Sequence, residues 1–128
     1  MKESENSNIK ERCWLLSGNI SFYPVSGELR DGDQILGQTT ILQARALEYL
    51  YNHSDSTVSH FQLYQGIYPD EHFESMMADH YSRLATVVGR LRKRLSIVEP
   101  LLGEHIVSVH GRGYRWSRHL QKTEVDYK

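Results

Sequence analysis

A short glycine-containing segment near the C-terminal end, residues 106–117, most constrains the fold of this chain. Apolar residues alternate with polar ones before Gly111 and again after Gly113, and alternation with a period of two is typical of a half-buried strand. The two glycines allow the backbone to reverse between the two runs. The segment therefore predicts a β-hairpin, and Arg112 places a cation near its tip.

A basic amphipathic segment before the hairpin predicts an α-helix from about residue 79 to about residue 96. Four apolar residues recur at helical spacing and define the stripe that packs on a core, namely Leu84, Val88, Leu91 and Leu95. At 100° per residue, the opposite face of this helix is small and cationic. It consists of Thr86, Gly89, Arg90 and Lys93, with Arg83 and Arg94 beside them.

The net charge of −1 conceals a division of charge along the chain. Residues 1–82 carry 5 basic and 12 acidic side chains, a net charge of −7, whereas residues 83–118 carry 8 and 2, a net charge of +6. This layout would orient the C-terminal half toward a polyanion. On charge alone, a merely solvated basic helix face is the alternative, and the adjacent hairpin pattern favours the polyanion.

The length of 128 residues and the 39% hydrophobic content suit one domain with a core, and no run approaches a transmembrane span. Residues 1–11 are polar and lack the apolar centre of a signal peptide, so we expect a disordered lead and a cytosolic protein. We expect residues 119–128 to form a flexible tail, which leaves residues 12–118 for the domain. The single cysteine, Cys13, cannot form an internal disulfide and is expected to pack against its apolar neighbours.

Short apolar or β-branched runs separated by turn residues predict a small antiparallel sheet over residues 13–40. Thr39 or Thr40 can cap a first helix, and Ser59 can cap a second, shorter one. Residues 69–80 are acidic and lack a firm period, so they predict a loop, or a loop that leads into the basic helix. The second helix and the basic helix then form a helix-turn-helix with an enlarged turn, and the hairpin completes a winged helix.

The sequence gives little sign of a metal site or an enzyme. Among the seven histidines, His72 and His80 are eight residues apart and have no companion cysteine or paired-histidine spacing. The glycines around Arg112 precede a strand, whereas a phosphate-binding loop precedes a helix. No motif arranges serine, histidine and aspartate as a nucleophile with its base. We therefore expect a protein that is not an enzyme and has no cofactor and no metal.

Three motifs occur in a characteristic order. The second helix carries Ser-x-x-x-Leu-x-x-x-Ile-aromatic (residues 59–68), the basic helix ends in Leu-Arg-Lys-x-Leu (91–95), and the hairpin reads Val-x-Gly-x-Gly-Tyr-Arg-aromatic (109–116). Over residues 12–118 the sequence thereby resembles the OmpR/PhoB-type winged-helix DNA-binding domain, including its ToxR-like branch. The resemblance implies an α+β winged helix-turn-helix with an N-terminal antiparallel four-stranded sheet, three helices and a C-terminal β-hairpin wing.

The resemblance also implies a site, in which helix 83–95 enters the major groove of DNA and wing 106–117 meets the adjacent minor groove. An arginine at the wing tip suits a narrow minor groove, and threonine, valine and arginine can contact base edges. By position, the base-facing candidates are Thr86, Val87 and Arg90, the phosphate contacts are Arg92 and Lys93, and Arg83, Gly89 and Arg112 complete the set. Gly89 stands where the family often has a basic residue, so it either permits close approach of the backbone to DNA or weakens binding.

As a family member, the protein would be a bacterial, cytoplasmic transcription regulator that acts on double-stranded DNA at the nucleoid. The expected partners are RNA polymerase, held by loop 69–80, and either a second copy on tandem half-sites or a partner regulator; no membrane is among them. The sequence contains no receiver domain, so aspartyl phosphorylation is not the switch if these residues are the whole protein. A ToxR-like regulator would instead continue into a linker and a membrane span. The alternative function is a winged-helix protein-interaction module that modulates another regulator without reading DNA, which Gly89 and the net negative charge favour.

Overall fold

The computed structural model of the protein describes residues 12–119, so the predicted lead and nearly all of the predicted tail lie outside the described residues. Four N-terminal strands form an antiparallel sheet in the order β1-β2-β3-β4. They are β1 (Trp14–Ser17), β2 (Ile20–Tyr23), β3 (Glu28–Asp31) and β4 (Gln34–Gln38). This sheet confirms the strand prediction for residues 13–40.

One face of the sheet contributes to the core because alternate side chains of a strand point to the same side. Phe22 on β2 pairs with Leu29 on β3, and both side chains are buried. Leu16 and Ile20 join them in the same apolar cluster. The prediction for Cys13 is wrong, since its side chain is exposed just before β1 begins.

The first two helices begin at the predicted capping residues. Helix α1 (Ile41–Asn52) is capped by Thr40, whose Oγ1 accepts from Gln43 N at 3.1 Å. Helix α2 (His60–Ile67) is capped in the same way by Ser59, with Gln62 N as the donor at 3.1 Å. In each case the glutamine side chain accepts from the cap's own N–H, which completes a capping box.

The basic segment forms the longest helix, α3 (Ala78–Val98). The predicted start at about residue 79 is confirmed to within one residue, and the last three residues of segment 69–80 belong to the helix. At this start, His80 Nδ1 accepts a hydrogen bond from Met77 N at 2.8 Å. This contact was not predicted, because glutamate or glutamine usually accepts the bond at the third helical position.

A 3-10 turn (Leu102–His105) connects α3 to the hairpin, which consists of β6 (Ile106–Val109) and β7 (Gly113–Trp116). The short strand β5 (Val58–Ser59) pairs with β7, so the second sheet has the order β5-β7-β6. A Cβ on Gly113 would lie 1.9 Å from Val58 O, and only glycine allows this close pairing. The predicted wing is confirmed, and β5 ties its inner strand to the helix-turn-helix.

The core lies where the three helices meet the two sheets. The apolar stripe predicted on α3 is buried, as are Leu47 and Leu50 on α1 and Leu63 on α2. Trp116 anchors the wing, since its side chain is 0% exposed and stacks on His105 with ring centroids 4.9 Å apart. In the described part of the chain, no helix has both the length and the apolar character needed to cross a bilayer.

Candidate nucleic-acid interface

The outward face of α3 is accessible and cationic. Arg90 and Lys93 are both exposed, and within residues 12–119 neither makes a hydrogen bond or an ion pair. Thr86 is also exposed, but its Oγ1 donates to Ser82 O at 3.0 Å, so its hydroxyl proton is already used. The face therefore offers a methyl group and two cations whose charge no carboxylate of the described residues neutralises.

Arg90 lies where three shallow depressions of the surface meet. One depression extends to Thr40 and Ile41 at the start of α1, and a second runs along α3 to Ile97. The third reaches Tyr68 just after α2. A ligand that covers this face would meet Arg90 near its centre, so the arrangement suits an extended polyanion better than a small molecule.

The wing carries Arg112 at its tip, as predicted. Arg112 N donates to Val109 O at 2.9 Å, and Gly111 before it has a φ of +72°, which closes the turn. The Arg112 side chain is exposed and is not paired with any described residue. Helix α3 and the wing thus present cations at two separate places.

The prediction that Val87 faces outward is wrong. Its side chain is only 7% exposed and belongs to the core cluster. Val87 is three residues after Leu84 and four before Leu91, so it lies at the edge of the same apolar stripe. The small part of Val87 that remains exposed lines the depressions beside Arg90, so Val87 can contribute little to a surface contact.

Arg92 is occupied within the molecule and is not a free phosphate ligand. Its Nε donates to Ile106 O at 3.1 Å and its Nη2 donates to Ser108 Oγ at 2.8 Å. Both acceptors lie on β6, so the guanidinium joins α3 to the wing. This contact could not be foreseen from helical spacing, which shows the direction of a side chain but not its partner on another element.

Arg83 is also paired, and its partners were not predicted. Its Nη1 donates to Tyr64 Oη at 2.7 Å and lies 3.2 Å from Glu71 Oε2, while Tyr64 Oη donates to Glu71 Oε1 at 2.9 Å. Burial, and secondarily the bond to Glu71, raises the pKa of Tyr64. The phenolate that Tyr64 forms at high pH, and then the carboxylate of Glu71, raise the pKa of Arg83. At neutral pH the Tyr64 hydroxyl is uncharged and accepts a hydrogen bond, and it is Glu71 that partly neutralises the first arginine of α3.

Comparison with known proteins identifies the family. The sequence model of the family described as "Transcriptional regulatory protein, C terminal" matches residues 37–116. The chain belongs to this family. The matched part of the chain is therefore a DNA-binding domain of transcription regulators. This match confirms the resemblance to the OmpR/PhoB-type domain and the predicted function. No curated protein sequence matches this chain.

Solved structures of low sequence identity share its fold. The DNA-binding domain of RstA from Klebsiella pneumoniae, solved in complex with the RstA box, is 19% identical and has a TM-score of 0.63. The alignment covers 84% of this chain and 99% of that one. The DNA-binding domain of CadC from E. coli is 18% identical, with a TM-score of 0.64 and coverage of 84% and 94%. The CpxR domain from E. coli is 18% identical, with a TM-score of 0.59 and coverage of 83% and 96%.

These likenesses confirm the winged-helix architecture of the OmpR/PhoB-type domain. Which candidate residues are accessible follows from the structure of this chain itself. Thr86, Gly89, Arg90, Lys93 and Arg112 are exposed, whereas Val87, Arg92 and Arg83 are buried or engaged elsewhere in the chain.

Proposed function

We propose that α3 of this domain enters the major groove of duplex DNA and that the wing follows the adjacent minor groove. This proposal rests on two cations on the outward face of α3, Arg90 and Lys93, whose charge no carboxylate of the described residues neutralises. An α-helix fits the width of the major groove, and lysine and arginine supply the phosphate contacts that dominate affinity. The RstA domain, of the same fold, was solved in complex with its box.

The exposed side chains fall into two groups, one that contacts base edges and one that fixes the position of the domain on DNA. Arg90 is placed to donate to a guanine edge, and the Thr86 methyl to pack on a base. Lys93 meets the phosphate backbone, and Arg112 lies in the minor groove, where a narrow groove attracts a cation. Arg92 acts indirectly, since it holds the wing in place, and Arg83 is engaged with Tyr64 and Glu71 near the start of α3. The domain acts by binding and not by catalysis, and its target places it at the bacterial nucleoid.

The loop between α2 and α3 is proposed to contact RNA polymerase. Its acidic residues Asp70 and Glu74 are exposed, whereas Glu71 is engaged with Tyr64 and Arg83. Replacement of Asp70 and Glu74 by alanine should lower activation without lowering DNA affinity. Activation at the native level in a promoter assay with this double variant would rule out the contact. Two copies on tandem half-sites would place two such loops on one promoter.

The experiment that tests DNA binding is a salt titration with two duplexes, the region upstream of the protein's own gene and a scrambled version of it. The logarithm of affinity should fall linearly with the logarithm of salt concentration, with a slope of about −4 to −6 for roughly five or six phosphate contacts. Arg90→Ala should remove the preference for the native duplex, and Arg112→Ala should weaken binding to both.

A matched control is Arg12→Ala, which also removes one exposed positive charge but lies before β1, outside the proposed face. This variant should bind both duplexes as the native chain does. If the native chain binds both duplexes equally well at low salt, the proposal fails.

The second candidate is an interaction module that binds a partner regulator through the acidic N-terminal half. The net charge of −7 over residues 1–82 favours it. Charge reversal by Arg90→Glu and Lys93→Glu separates the two functions. It abolishes promoter binding if α3 reads DNA, and it leaves partner binding intact if the module binds through its other half.

A further inference from the structure

Gly89 is an exposed glycine in the middle of α3, where glycine lowers helix stability relative to alanine. Elsewhere in the helices, packing explains a glycine. A Cβ on Gly66 in α2 would lie 2.5 Å from Tyr49 Cδ2, so a larger residue would clash there. A Cβ on Gly89 would meet no atom of the described chain within 4 Å. Nothing within residues 12–119 requires glycine at this position, so its role lies in what approaches α3 from outside.

The side chains around Gly89 restrict the chemistry of that ligand. Thr86 precedes it by one helical turn and uses its hydroxyl proton on Ser82 O, so its methyl group is what remains for an apolar contact. Ala85 is one further exposed, small residue beside Gly89. Arg90 follows immediately and has no partner among the described residues. The surface is therefore a short, open strip of small side chains next to a guanidinium.

We propose that Gly89 is a specificity-determining residue, whose missing Cβ leaves room for the 5-methyl group of a thymine between its Cα and Thr86. The thymine methyl is the apolar group that base edges display in the major groove, and a neighbouring guanine offers O6 and N7 to an arginine. This open strip and Arg90 together select a thymine adjacent to a guanine. This inference rests on the proposed insertion of α3 into the major groove.

The test uses duplexes that the native chain enriches from a random-sequence pool, with each thymine replaced in turn by deoxyuridine. This replacement removes only the 5-methyl group. The native chain should lose about fivefold or more in affinity at one thymine next to a guanine. Relative to the native chain, Gly89→Ala should lose about tenfold in affinity for the thymine duplex and little for the deoxyuridine duplex. The reason is that the alanine methyl occupies the space that the thymine methyl would otherwise fill. Gly89→Ser, which also adds a Cβ, should show the same pattern.

Thermal unfolding separates this effect from damage to the fold. Gly89→Ala should raise the unfolding midpoint by about 4 °C, since alanine favours the helix and has free space at this position. The outcome that overturns the inference is a native chain that selects a DNA sequence but shows no deoxyuridine effect coupled to Gly89→Ala. A native chain that enriches no sequence at all would instead overturn the proposed function on which the inference rests.

Discussion

The Nη1 atom of Arg83 lies 2.7 Å from the buried hydroxyl of Tyr64, and this bond joins the start of α3 to α2. Tyr64 is 0% exposed, and Phe73 and Tyr68 pack against its ring. The hydroxyl both accepts from Arg83 and donates to Glu71, so the two helices and the loop between them share one polar network. The packing of α3 against α2 therefore depends in part on a tyrosine that contacts no DNA in the proposed complex.

Replacement of Tyr64 by phenylalanine should lower the free energy of unfolding by about 1 kcal/mol, because both polar contacts of the hydroxyl are lost while the ring remains. Urea denaturation followed by circular dichroism measures this change. Tyr68→Phe is the matched control, since Tyr68 packs on the same ring but makes no side-chain hydrogen bond within residues 12–119. Equal stability of Tyr64→Phe and the native chain would show that the network contributes nothing to the fold.

The raised pKa of Tyr64 predicts a loss of stability at alkaline pH. Burial holds this pKa above its ordinary value of 10.0, so the folded state resists ionisation of the phenol. The contribution is complete below about pH 10 and is lost as pH rises through the higher pKa of the folded state. Urea midpoints measured from about pH 8 to about pH 11 should fall less steeply for Tyr64→Phe than for the native chain.

Glu71 is expected to restrain DNA binding, because its carboxylate lies 3.2 Å from Arg83 and competes with a phosphate for that cation. Glu71→Gln should increase affinity for DNA and steepen the salt dependence by about one unit of slope, since one further cation becomes available. Glu74→Gln removes the same charge from the same loop but has no partner in the described part of the chain, so it controls for net charge. If both variants shift affinity equally, Glu71 acts only through its charge at a distance.

The elements that could be predicted from sequence are those that local rules specify. Capping boxes at Thr40 and Ser59 fixed the starts of α1 and α2, and the glycines of the wing fixed its turn. The beginning of α3 was predicted to within one residue, but the hydrogen bond that His80 accepts there was not. A histidine ring can accept a hydrogen bond from a backbone N–H, but it does so too rarely to be inferred from the sequence.

The exposure of the candidate residues was predicted correctly where the helical period or the turn alone decides it, and incorrectly where contacts between elements decide it; that these residues bind DNA stays a prediction. Arg90, Lys93 and Arg112 lie outward because the helical period and the turn geometry require it. Arg92 lies beside the same outward face, yet β6 supplies two acceptors that lie 14 and 16 residues further along the chain. Helical spacing carries no information about such a partner, so paired and free arginines look alike in the sequence.

Arg92 and Lys93 are adjacent in sequence and should respond differently to the same substitution. Arg92→Ala removes two hydrogen bonds to β6, so the free energy of unfolding should fall by about 1–2 kcal/mol and amide hydrogen exchange in β6 and β7 should accelerate. Its effect on DNA should be lower affinity with an unchanged salt slope, because a displaced wing loses contacts without the loss of a phosphate ligand. Lys93→Ala should instead leave stability and exchange unchanged and reduce the slope by about one.

Arg92→Lys sharpens this comparison, because lysine keeps the charge but cannot span both acceptors as a guanidinium does. If Arg92 is a positioning residue, the lysine variant resembles Arg92→Ala in hydrogen exchange and in DNA affinity. If it contacts phosphate, as the sequence alone indicated, the lysine variant resembles the native chain and Arg92→Ala lowers the salt slope. The salt slope and the exchange rates of β6 together decide between these roles, since the two roles predict opposite results in both measurements.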